Sequence, residues 1–200
     1  MLARMAYDPA RHHRRSIRLR GHGYAHGFYF LTIRTCDRST VLGRILGGSV
    51  QLSPFGEIVD GCWKAIPEHH SQVVLDQWVI MPDHVHGILV LERPCAFDEG
   101  RVGAPAEKRP RSGSLGAIIG TFKAAVTREV NVVRATPGAA FWQRNYFEHV
   151  IRDAHDLHRV RGYIASNPAR WVRRHGPDGY DGASDVVGDR MDRGQVRKPG

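Results

Sequence analysis

Apolar side chains change their spacing several times along this chain, and each change marks an element. Residues 27–35 (GFYFLTIRT) are dense in aromatic and β-branched side chains, the composition of a half-buried strand. Ser49–Leu52 can add a shorter one. Ser53-Pro54 then offers a helix N-cap with proline at the first helical position, and Phe55, Ile58, Val59, Cys62 and Ile66 recur at helical spacing. Two more β-rich runs, residues 73–80 and 84–91, are joined through Met81-Pro82-Asp83. Proline fixes a turn dihedral there and aspartate can hydrogen-bond its own backbone, so the pair predicts an antiparallel hairpin. After Ser114, a second amphipathic helix shows Leu115, Ile118, Ile119, Phe122 and Val126 on one stripe. Residues 140–151 hold a short strand in their later half. Asp153, with Asp156 three places on, caps a third helix with the stripe Leu157, Val160 and Ile164, and Pro168 is expected to end it.

The order strand, helix, strand, strand, helix, strand, then one extra helix predicts an α+β fold. It is a ferredoxin-like split β-α-β domain with an antiparallel sheet and an additional C-terminal helix, which carries Tyr163. Two hundred residues with 42% hydrophobic content suit one core. Composition places that domain at residues 23–175. Around and within it stand a basic, flexible N-terminal arm (1–22), a flexible Pro/Gly/charge-rich loop (93–113) and a disordered polar tail (176–200). An architecture of this kind hosts many chemistries, so function has to come from a site.

The formal net charge is +9 and the sequence pI about 10.0, which points to a polyanionic partner. A general bias toward arginine would raise the pI equally, so the charge needs a site beside it. Cys36, Cys62 and Cys95 are odd in number, lie far apart and have no C-x-x-C spacing, which argues against a disulfide framework and a thiolate zinc site. The arginine-rich start lacks the continuous apolar stretch of a signal peptide or membrane span, so the expectation is a cytoplasmic protein with no membrane association.

His84-Val85-His86 opens a strand, where side chains two apart share a face, so both imidazoles can converge on one ion. Taken alone, the pair reads rather as one turn-capping and one half-buried histidine. Twelve histidines make chance pairs easy, as His12-His13 and His69-His70 show.

The surrounding sequence adds to this. Residues 78–90, WVIMPDHVHGILV, closely resemble the metal-binding hairpin of the HUH superfamily, named for histidine, bulky hydrophobe, histidine. The resemblance is to the small single-tyrosine transposases and their repetitive-extragenic-palindrome-associated relatives. Three more blocks carry it: SLGAIIGTFK from Ser114, FWQRNYFEHVIR from Phe141, and YIASNP from Tyr163. Four blocks in order span roughly residues 24–171.

The resemblance implies that Tyr163 is the nucleophile and that Asn167, four places on, joins His84 and His86 in holding a divalent cation, Mg²⁺ or Mn²⁺. Four-residue spacing places Tyr163 and Asn167 on one helix face. From the residues alone, Tyr163 also fits a part-buried core aromatic and Asn167, before Pro168, a helix-ending cap. The implied activity is that of a metal-dependent DNA endonuclease and transposase. It cleaves and rejoins single-stranded or hairpin DNA through a 5′-phosphotyrosine, as a monomer or homodimer. Lys123, Trp142, Gln143, Arg144 and Tyr146 are candidate DNA contacts, since an aromatic beside arginine can stack on a base while the guanidinium holds phosphate. Trp142, Gln143, Arg144 and Tyr146 equally suit a structural role, with Tyr146 expected on a strand rather than opposite the histidines. The competing reading is a domesticated DNA-hairpin-binding or regulatory protein without turnover. A histidine-triad hydrolase would need a third alternating histidine where Ile88 stands, and an RNA-binding sheet would need an aromatic-glycine signature that the first strand lacks.

Overall fold

The structure is a computed structural model and describes residues 26–92 and 113–176. The expected N-terminal arm, nearly all of the 93–113 loop and nearly all of the 176–200 tail lie outside the described residues. The elements are β1 (Gly27–Arg34), β2 (Gly43–Leu46), β3 (Ser49–Leu52), α1 (Pro54–Lys64), α2 (Ile66–His69), β4 (Val73–Met81), β5 (His84–Leu91), α3 (Leu115–Arg134), β6 (Phe147–Ile151) and α4 (Ala154–His175). Four strands form a sheet in the order β4-β5-β1-β6 with every neighbouring pair antiparallel. This is the ferredoxin-like α+β arrangement, with α4 as the additional helix.

Strand alternation sorts the side chains to two faces. Tyr29, Leu31, Ile33, Val85, Leu89 and Leu91 point to one side, where Val59 and Trp63 of α1 and the stripe Leu115, Ile118, Ile119, Phe122, Val126 and Val130 of α3 close the main core. Phe30, Ile88 and Ile151 point the other way and meet Val160 and Ile164 of α4. All three long helices begin as their sequences require. The side chains of Ser53, Ser114 and Asp153 accept hydrogen bonds from the backbone N–H groups of Gly56, Ala117 and Asp156.

Three sequence expectations need correction. Pro168 does not end its helix: α4 runs on to His175. An internal proline costs about 3 kcal/mol. The turn beyond it carries Trp171, which packs with Ile45 and Met81 in a third apolar cluster and offsets that cost. Tyr146 lies just before β6 rather than on a strand, half-buried against the main core. β2 was not anticipated, although Gly47-Gly48 between alternating residues is a two-residue hairpin signal; both glycines have positive φ, 57° and 80°. The β2–β3 ribbon supplies Ile45 to the cluster that seats Trp171.

Gly87 sets how closely α1 approaches the sheet. A Cβ at this position would overlap Cζ2 of Trp63 and stand 2.9 Å from its Cη2. Trp63 is fully buried and meets Phe122 edge-on, so its ring has little room to move. Gly87→Ala should therefore lower unfolding stability by about 1–3 kcal/mol through overpacking. Gly120→Ala, in α3 with nothing near its Cβ, should be neutral or raise stability by up to about 1 kcal/mol. Urea unfolding compares the two, and equal stabilities would show that the Trp63 contact does not constrain the sheet.

Candidate active site

β5 starts at His84, directly after the two-residue turn Pro82-Asp83, and its register on β1 pairs Thr32 with His86 and Arg34 with His84. Both imidazoles therefore lie on the α4 side of the sheet, while Val85 enters the main core. Each ring is held through Nδ1. Asp83 Oδ1 bonds to Nδ1 of His84, and Asp83 Oδ2 also meets Arg34 Nη1 at 3.2 Å. Thr32 Oγ1 lies 2.9 Å from Nδ1 of His86. With Nδ1 carrying the proton and donating to these oxygens, both Nε2 lone pairs remain available. They face each other at 3.0 Å.

Burial governs the charge here. His86 is 2% exposed, and desolvation, reinforced by His84 and Arg34, pushes its pKa well below the ordinary imidazole value. It is neutral at neutral pH, the form that binds a metal. Burial works to raise the pKa of Asp83, but the hydrogen bond and charge of His84, with Arg34, outweigh it and hold the carboxyl below its usual value. Asp83 is thus a carboxylate orienting a histidine.

α4 crosses above these rings. Tyr163, Asn167 and Trp171 recur every four residues and share one face. The Tyr163 ring centroid is 5.2 Å from that of His86, and its hydroxyl is 3.5 Å from His86 Nε2, at the outer limit of a hydrogen bond. The Trp171 ring centroid is 6.0 Å from that of His84. Asn167 sits between them on the helix, buried, and its Nδ2 has no hydrogen-bond partner. Phe30 floors the site, with its ring centroid 5.3 Å from His86 and 5.8 Å from Tyr163. Arg170 lies over the Tyr163 ring at 5.1 Å. Outside the site, Arg161 bonds both carboxylate oxygens of Asp76, at 2.9 and 2.5 Å, and ties α4 to β4.

The donor set fits a hard or borderline divalent cation. Ligands about 2.1 Å from an octahedral ion stand about 3.0 Å apart when adjacent, which is the observed Nε2 separation. Among the described residues no group of three or more His, Cys, Asp or Glu side chains is gathered for a metal. A half-turn of the Asn167 amide would exchange its unpartnered nitrogen for an acceptor oxygen.

The sequence-derived DNA contacts gather on α3 and around the end of β1. Lys123 Nζ donates to the carbonyls of Gln143, at 2.6 Å, and Arg144, at 3.1 Å, and burial lowers its pKa. Gln143 N–H donates to the Arg34 carbonyl at 2.9 Å, and Trp142 is buried in the main core beside Phe141 and Phe122. These residues pin the 141–146 segment to the end of β1, and of the five only Arg144 is exposed. Sequence reasoning missed Thr32 and Arg34 and read Asp83 only as a turn residue. Their roles depend on cross-strand register, for which no local signal exists.

No protein-family model matches the chain. It is 37% identical over 174 residues to an uncharacterized protein of Haemophilus influenzae, covering 82% of this chain and 93% of that one. Among solved structures it is similar to a REP-associated tyrosine transposase bound to a REP hairpin, with a TM-score of 0.53 and 18% identity over 76% of this chain and 73% of the other. A transposase-like protein of Deinococcus radiodurans R1 aligns with a TM-score of 0.38 and 19% identity, over 74% of this chain and 94% of the other. The fold that the four sequence blocks implied is thus borne out. The chain belongs to one family with the Haemophilus influenzae protein, and its ferredoxin-like α+β fold is that of the REP-associated tyrosine transposase.

Proposed function

We propose that this chain is a transposase-type DNA strand transferase that cleaves and rejoins single-stranded or hairpin DNA, with Tyr163 as nucleophile. The observation that carries this reading is the convergence of the Tyr163 hydroxyl with the two facing Nε2 atoms of His84 and His86 under one helix. A phenol beside a paired-imidazole metal site is an arrangement for phosphoryl transfer, and the net charge of +9 suits a polyanionic substrate.

In the reaction the Tyr163 oxygen gives up its proton and attacks the scissile phosphorus. The bond to the leaving 3′ oxygen breaks, which takes up a proton and ends as a free 3′-hydroxyl, while the 5′ phosphate stays on the tyrosine. The phosphodiester linkage is conserved, so an incoming 3′-hydroxyl can reverse the step on the same or another strand. His84, His86 and Asn167 would hold Mg²⁺ or Mn²⁺, which when bound polarises a nonbridging phosphate oxygen and offsets charge in the transition state. Arg34 and Arg170 add fixed positive charge on the same side of the sheet. Phe30 and Trp171 wall the site with apolar rings and strengthen those electrostatic terms.

Labelled hairpin DNA with single-stranded flanks, incubated with protein and Mn²⁺ and run on a denaturing gel, should give a protein-linked band. Tyr163→Phe should abolish it, and Tyr146→Phe should retain it because its ring still packs against the core. A band from Tyr163→Phe but none from Tyr146→Phe would transfer the role to Tyr146. No band from the parent protein with either metal, together with tight hairpin binding, would favour a binder without turnover.

His84→Ala or His86→Ala should remove metal dependence along with adduct formation. Thr32→Val, which deprives His86 of its Nδ1 partner, should weaken Mn²⁺ binding by about 10- to 100-fold. Calorimetric Mn²⁺ titration checks this, and unchanged affinity in all three variants would remove the histidines from the metal site.

A further inference from the structure

Phe147 is an aromatic side chain left 44% exposed beside a buried ring cluster. It stands on β6, the edge strand of the sheet, and pairs across to Thr32, which pairs in turn to His86. Phe147, Thr32 and His86 therefore form one row on the α4 side, and two strand spacings put Phe147 about 10 Å from the histidine. Its ring meets Phe30 edge-on at 6.3 Å, and Phe30 is the residue that floors both His86 and Tyr163. Buried Phe30 thus links the Tyr163 ring to the exposed Phe147 ring on the edge strand.

Positive charge stands on the same face as this strip. Arg170 lies over Tyr163, and Arg34, two residues along β1 from Thr32, is ion-paired with Asp83. Of the carboxylates on this side, Asp83 is engaged by Arg34 and His84, Asp156 by His149 and Arg159, and Asp76 by Arg161. An exposed aromatic ring in one row with His86, on the face that also carries Arg170, matches a nucleotide, with the base on the ring and the phosphate toward the guanidinium. A paired base has its faces covered by its neighbours, so the occupant is an unpaired one.

We propose that Phe147 is a stacking residue that seats one unpaired base of the DNA strand next to the phosphate at Tyr163. This deepens the strand-transfer reading and rests on it. The structure thereby favours single-stranded DNA at the cleavage point over continuous duplex, because the ring can be occupied only by a base out of the helix.

The test measures binding in protein carrying Tyr163→Phe, so that no strand is consumed, with a fluorescein-labelled mixed-sequence single strand and a blunt duplex as probes. Adding Phe147→Ala should weaken single-strand binding about tenfold, within the range for loss of one base-aromatic stack, and leave duplex binding unchanged. Phe147→Trp should keep the affinity, and its indole emission should be quenched when DNA binds. An abasic site moved along the oligonucleotide should weaken the parent at one position, and Phe147→Ala should lose nothing further there. Because Phe147 is exposed, the alanine variant should melt like its parent.

Equal single-strand affinity with and without Phe147, in a protein whose Tyr163 form makes the adduct, would overturn the stacking role alone. Absence of single-strand binding by the parent would overturn both readings. A change in oligomeric state on Phe147→Ala, with DNA affinity intact, would make the strip a protein interface and would also overturn the proposal.

Discussion

The register of β5 on β1 is the constraint on which the rest of the site depends. Side chains alternate between sheet faces, so a slip by one residue would send His84 and His86 into the main core and turn Val85 and Gly87 toward α4. Several independent features fix it. Val85, Leu89 and Leu91 belong to the same core as Leu31 and Ile33, and Gly87 leaves the space that the Trp63 ring fills. At the open end, Thr35 donates to the Asp83 carbonyl from both its N–H and its hydroxyl, and Leu42 N–H donates to the Pro82 carbonyl. The turn is clamped from both sides, and the histidines that follow it have a single orientation.

Burying two imidazoles is unfavourable unless their nitrogens find partners. Here Nδ1 of each ring is satisfied by a side chain fixed by the same register, Thr32 from β1 and Asp83 from the turn. The Nε2 atoms are left facing one another under α4. That helix is held at both ends, by Val160 and Ile164 against Phe30 and Ile88, and by Trp171 against Ile45 and Met81. The second anchor carries the helix past Pro168.

What was legible in the sequence is what local spacing controls. The histidines' shared face follows from strand alternation, and the apolar stripes of α1, α3 and α4 follow from helical recurrence. The capping residues Ser53, Ser114 and Asp153 act within one turn, so they too could be read directly. The rest is decided across space. Pro168 reads as a stop because its cost is local, while the Trp171 packing that offsets it comes from a ribbon more than a hundred residues away in sequence. Trp142 reads equally as a stacking residue or a core one until the bridge to Thr35 places it. Thr32, an ordinary strand residue in sequence, becomes a histidine partner only once β1 and β5 are aligned.

The central claim is that one cation is shared by the two facing imidazoles beneath Tyr163. Anomalous diffraction from crystals soaked in Mn²⁺ tests it most directly. The expected result is a single strong peak bonded to Nε2 of both His84 and His86, with the Asn167 amide oxygen turned toward it. A peak bonded to only one of them, or a manganese site elsewhere with these imidazoles still paired to each other, would contradict it.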